Sequence, residues 1–334
     1  MSETPSPAQT SDAEPKGRSL KEYVGVTARG FCMGAADVVP GVSGGTMAFI
    51  LGIYDELINA IHSFNLSLAK QVIRLRVREA LRSLPWQFLL ALGVGIGSAI
   101  VLLARPLKYV LETHPSLVFA FFFGLVLASV WVVRKRVSEW TPSRLGLLGG
   151  AALGAFVLVG LAPTQTPSEP LYLFLSGAIA ICAMILPGIS GSFILVLLGK
   201  YEQIIGAVAR LDIGTLIVFA AGCAVGLLSF VRVLRWLLRH YHNATIAVLT
   251  GFMIGSLRRV WPWQDPTANG ELVTLLPSDL NGEVILALAL AVVGVALVLG
   301  LERLAERRGD AAPQPAARAS SVAQDTSAAI SQPR

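Results

Sequence analysis

The sequence predicts an all-α polytopic membrane protein: two inverted repeats, each one re-entrant helical hairpin plus two transmembrane helices, with two additional transmembrane helices. Three observations carry that expectation. Hydrophobic residues make up 54% of the chain and charged residues only 14%, where soluble domains carry roughly 25%. A Pro-Gly break inside apolar sequence occurs once in each half. Basic residues cluster in loops whose order requires a segment that enters the bilayer and returns.

The repeat comes first, because the other elements are placed around it. Val39-Pro40-Gly41-Val42-Ser43-Gly44-Gly45 returns as Leu186-Pro187-Gly188-Ile189-Ser190-Gly191-Ser192, at an offset of 147. Residues 40–60 and 187–207 share nine identities in 21 positions, including Gly52 with Gly199 and Tyr54 with Tyr201. Further on, the halves align at an offset of 127: Gly95 with Gly222, Arg105 with Arg232, Lys108 with Arg235, Gly124 with Gly251. The drop of 20 matches a basic linker at 65–84 that only the first half carries.

The uncharged runs 85–104, 115–133, 145–168, 213–231, 243–257 and 284–301 read as six spans. Five have the length of a spanning helix; the 15 residues of 243–257 rely on Arg258 and Arg259 snorkelling and on Trp261 and Trp263 as interfacial anchors. Segments 24–62 and 170–208 are different. Proline removes a helix hydrogen bond and restricts its predecessor, so each segment folds into two arms of about 13–17 residues, or roughly 20–25 Å.

Charge decides how those segments sit. Lys16, Arg18, Lys21 and Arg29 precede or open the first, and Lys70, Arg74, Arg76, Arg78 and Arg82 follow it. A single crossing would place the two groups on opposite sides, so 24–62 is expected to enter and leave from the cytoplasm. Loop 134–144 is then cytoplasmic, 163–170 external, and 170–208 enters from outside. Loop 260–283, with four acids and no base, is external. Repeat 1 covers 21–140, repeat 2 covers 170–260, and 145–168 and 284–301 are the additional spans. Tails 1–20 and 309–334 are expected to be disordered and cytoplasmic, with no signal peptide.

The net charge of +6 sets orientation in such a protein, and no nucleic-acid partner is expected. Cys32, Cys182 and Cys223, and the four histidines, show no metal-ligand or catalytic spacing. No catalytic residue, metal or cofactor is therefore expected, and a membrane enzyme is disfavoured.

What the hairpins offer is an anion site. Helix N-termini beginning after each break would turn free N–H groups and partial positive charge towards the centre. The candidate residues for binding a phosphate or carboxylate are Ser43, Gly44, Gly45 and Thr46 with Ser190, Gly191 and Ser192. Pro40, Gly41, Pro187 and Gly188 are the hairpin breaks. The competing reading is that Gly and Ser only allow close helix packing. Arg29, Arg105 and Arg232 are added as basic candidates; interfacial arginines would look the same. Asp37, three residues before Pro40, has Met184 as its repeat partner. It is a candidate for a coupling proton or Na⁺, or a partner for Arg29. Asp55 and Glu202, beside the repeated tyrosines, fall near the hairpin mouths with no role assigned.

Gly34-Ala35-Ala36-Asp37-Val38-Val39-Pro40-Gly41-Val42-Ser43-Gly44-Gly45-Thr46, followed by Gly52-Ile53-Tyr54-Asp55, resembles the signature of the PopT-type polyprenyl-phosphate transporter family. The second copy, with Gly199-Lys200-Tyr201-Glu202, fits as well, and the resemblance covers about residues 22–302. It implies a protein of the bacterial cytoplasmic membrane that returns undecaprenyl phosphate from the outer to the cytoplasmic leaflet for cell-wall synthesis. On the residues alone, a transporter or channel for a small inorganic anion or carboxylate remains the alternative.

Overall fold

A computed structural model describes residues 18–39, 42–64, 68, 71, 74, 76, 84–164, 166–167, 169–266, 272–277 and 279–307. The expected tails, most of the basic linker, and the first break (Pro40 and Gly41) lie outside the described residues. Among the described residues the chain forms twelve helices and one two-stranded antiparallel ribbon.

The first hairpin is α1 (Leu20–Val38), α2 (Gly44–Ile50) and α3 (Tyr54–His62). Helix α1 starts at a capping box: the Ser19 backbone N–H and hydroxyl both donate to the Glu22 carboxylate. It ends where Pro40 makes Val39 extended. After α4 (Trp86–Thr113), α5 (Pro115–Arg134) and α6 (Pro142–Leu158) comes the second hairpin, α7 (Pro170–Ile185), α8 (Gly191–Leu197) and α9 (Tyr201–Arg210). Helices α10 (Ile213–His240) and α11 (His242–Ser256) follow. The ribbon pairs β1 (Gln264–Pro266) with β2 (Leu272–Thr274), and α12 (Gly282–Arg307) closes the chain. Helices α5, α6 and α7 each begin on a proline, which costs no hydrogen bond in the first turn.

Four helices, α4, α5, α10 and α12, are long and apolar enough to cross a bilayer. Their outward faces leave Val101, Ile217 and Val292 exposed, the surface a lipid environment accepts. The chain is a polytopic membrane protein. The two remaining expected spans form shorter helices: α6 has 17 residues and α11 has 15. Helix α11 is nonetheless among the most enclosed, with Ile246, Ala247, Leu249 and Met253 each at most 2% exposed.

The returning arms are shorter than the sequence suggests. Helices α2 and α8 have seven residues each, about 10 Å at 1.5 Å per residue. Each then stops at a glycine in the left-handed region, Gly52 at φ 71° and Gly199 at φ 65°. Only glycine takes that conformation without strain, so the chain turns sharply, by 107° between α8 and α9. The ribbon within 260–283 is likewise absent from the sequence reading.

The halves repeat one another in their packing. Helix α1 lies against α4, and α7 against α10. A Cβ on Gly30 would meet the Leu92 carbonyl oxygen, and one on Gly177 the Phe219 carbonyl oxygen. Gly95 and Gly222 face the carbonyls of Thr27 and Phe174 in the same way. All four contacts map onto each other under the two offsets. Small residues permit this backbone approach, the usual device for apposing helices in a membrane. Helix α5 then packs on α12 at Gly124, and α11 on α6 at Gly251, so each additional helix completes one half.

Candidate functional site

The residues that follow the first Pro-Gly break are enclosed, and they touch the second break, where Pro187 and Gly188 are buried. Thr46 in the first turn of α2 accepts a hydrogen bond through Oγ1 from the Gly188 N–H, at 2.8 Å. The Ser43 hydroxyl lies 3.5 Å from the Met184 carbonyl oxygen and 3.4 Å from that of Leu186. The buried Tyr54 hydroxyl donates to the Ile185 carbonyl at 3.2 Å. A Cβ on Gly45 would press on the carbonyls of Met184 and Ile185. Gly188, at φ 95°, sits against Phe252, Met253 and Ser256 of α11. Of the expected site, the structure thus joins Ser43, Gly45 and Thr46 to the second break. Ser43, Thr46 and Ser190 are all buried.

The two tips differ in what fills them. At the first, the Asp37 carboxylate accepts from the Gly44 N–H at 2.7 Å, and the Ser43 hydroxyl oxygen accepts from the Gly45 N–H at 3.2 Å. An internal acid therefore occupies the place where an anion would approach α2. A Cβ on Gly44 would overlap that carboxylate, so glycine is required for the contact. At the second tip Met184 stands in the position of Asp37 and offers no acceptor. No side chain caps α8 there, and the Ser190 and Ser192 hydroxyls bond each other at 2.8 Å.

Among the described residues, none of the expected arginines hydrogen-bonds or ion-pairs with a tip residue. Arg29 is half-buried in α1 and makes no ion pair with Asp37. Arg105 and Arg232 are exposed on α4 and α10, and neither hydrogen-bonds a tip residue. Two other arginines come closer, both in turns that sequence reasoning used only for topology. The Arg136 guanidinium stands 5.0 Å from the centre of the Phe49 ring and lies 3.5 Å from the Phe49 carbonyl oxygen at the end of α2. The Arg259 guanidinium stands 4.7 Å over the ring of Phe193, in the first turn of α8. Among the described residues it has no acid partner, and burial pulls its pKa below the ordinary arginine value.

Lys200 is the other unexpected charge. It is 1% exposed, and its ammonium donates to the carbonyls of Thr166 (3.1 Å) and Pro167 (2.7 Å). Together with Thr164 and Thr166, which bond the Leu197 and Leu198 carbonyls, it ties the α6–α7 connection across the turn after α8. The equivalent residue in the first half is the buried Ile53.

The profile of a family described as VCA0040-like, undecaprenyl phosphate translocase-like, matches residues 33–271. The chain belongs to that family. It is 43% identical over 301 residues to a polyprenyl-phosphate transporter of Vibrio cholerae serotype O1, covering 85% of this chain and 98% of that protein. To a polyprenyl-phosphate transporter of Staphylococcus aureus it is 30% identical over 253 residues, covering 70% and 84%. No solved structure matches it.

Proposed function

We propose that the chain carries undecaprenyl or another polyprenyl phosphate from the outer to the cytoplasmic leaflet of the bacterial inner membrane, recycling the lipid for cell-wall synthesis. Both termini are then cytoplasmic, and the two halves are inverted repeats whose hairpins enter from opposite faces. The observation that carries this reading is the buried hydrogen bond from the Gly188 N–H of the second break to Thr46, in the helical turn that follows the first. Irregular backbone at membrane depth has to be enclosed by protein or line a polar cavity. The matched glycine contacts of α1–α4 and α7–α10 support two equivalent halves. The names of the two relatives supply the lipid.

In this account the phosphate is held between the tips by Ser43, Gly44, Gly45, Thr46, Ser190, Gly191 and Ser192, while the polyprenyl tail stays in lipid. Arg29, Arg105 and Arg232 supply positive charge along the path, offsetting the loss of water. The uncapped second tip takes the headgroup first. The first tip becomes available only when Asp37 releases the Gly44 N–H, and proton or Na⁺ binding at Asp37 would favour that release. Movement of one hairpin against the other exposes the site to each leaflet in turn. Replacing Ser43 or Ser190 by Leu should abolish transport while leaving membrane insertion intact. Unimpaired transport in both variants would remove the tips from the mechanism.

A further inference from the structure

At the end of α3 remote from the tip, His62 meets the last turns of α10, and the charges of Arg235, Arg232 and Arg239 all bear on its ring. No ion pair neutralises the three arginines among the described residues. Two atoms of the cluster, His62 Nδ1 and Arg235 Nε, are buried without a hydrogen-bond partner. A buried polar atom left unpaired is costly, more so when charged. Two such atoms in one all-basic cluster require a physical reason.

The other half shows what is unusual. Arg105, Lys108 and Glu112 hold the positions of Arg232, Arg235 and Arg239 under the offset of 127. There the acid stands 3.7 Å from Lys108 in an exposed i,i+4 pair. In the second half an arginine replaces that acid, and the hairpin of the first half adds a histidine. Positive charge at a cytoplasmic end is ordinary. Burying two of its nitrogen atoms unpaired is not.

We propose that His62, Arg232, Arg235 and Arg239 form a second anion site, separate from the tips, that takes a phosphate monoester. A guanidinium presents paired donors to phosphate oxygens, and the imidazole adds a further ring nitrogen. A lipid headgroup and free phosphate share that chemistry. The proposed transport function makes the lipid the expected occupant, and in that respect the inference rests on it.

The test follows the His62 ring by NMR in phosphatidylcholine nanodiscs, its signal assigned with His62→Gln, during separate titrations with inorganic phosphate and a short-chain polyprenyl phosphate. A saturable shift with either ligand, weakened tenfold or more by Arg235→Gln and less by Arg239→Gln, is expected. Lys108→Gln, at the matching position of the first half, should leave the titration unchanged. A shift with both ligands makes the site a headgroup station, and one with inorganic phosphate alone makes it a free-anion site. A silent ring with both ligands, or an affinity indifferent to both arginine variants, overturns the proposal. Translocation of polyprenyl phosphate with a silent His62 ring would sink this site alone; a responsive ring without translocation would sink the transport reading and keep the site.

Discussion

Thr46 and Gly188 belong to different halves of the chain, yet one buried hydrogen bond of 2.8 Å joins them. Thr46→Val keeps the shape and leaves the Gly188 N–H with no acceptor, a loss of about 1–3 kcal/mol. Thermal unfolding in detergent should show the destabilisation, with Thr46→Ser restoring most of it. An unchanged melting temperature would mean that the bond does not hold the breaks together. Asp37 works differently, since its carboxylate accepts from the Gly44 N–H, a donor that the proposed anion site would use. Asn keeps an acceptor oxygen there but cannot take up a proton. Asp37→Asn should therefore fold normally and lose the response of transport to an imposed pH gradient. A variant that still follows the gradient would free Asp37 of any coupling role.

Helices α1 with α4, and α7 with α10, cross at equivalent glycines, so equivalent substitutions should have equivalent effects. Gly95→Leu and Gly222→Leu each force backbones apart and should cost on the order of 1–3 kcal/mol or more, read as loss of folded, monodisperse protein. A large effect in one alone would break the equivalence of the halves. At the sharp turns, Gly52→Ala and Gly199→Ala should each lose about 1–2 kcal/mol, because φ of 71° and 65° suits glycine alone. This scale also shows where sequence reading stops. The apolar runs, the Pro-Gly breaks and the matched glycines were legible, because hydrophobicity and proline act locally. Gly52 and Gly199 were visible as repeats but not as corners, since a glycine does not announce the sign of its φ. Nothing local shows that Lys200 bonds two carbonyls of another loop, or that the charge of Arg235 bears on His62. Those pairings depend on how separate helices pack, and Arg136 and Arg259 were hidden among loop charges for the same reason.

Across the whole molecule, α4 packs on α1, α10 on α7, α12 on α5 and α6 on α11, the pairing expected of two equivalent halves. Inverted orientation predicts that loops 134–144 and 260–283 lie on opposite sides. With Cys32, Cys182 and Cys223 replaced by Ala, a cysteine at Ser138 should label only from inside and one at Thr274 only from outside. Labelling of both from one side would exclude the proposed topology. The Thr46–Gly188 contact between these halves matters to transport only if the cargo passes it. The decisive measurement uses purified protein in liposomes and follows translocation of polyprenyl phosphate, phosphatidylglycerol and free phosphate side by side. Movement of polyprenyl phosphate, and its loss in Ser190→Leu, is the predicted result; movement of free phosphate alone would contradict the account.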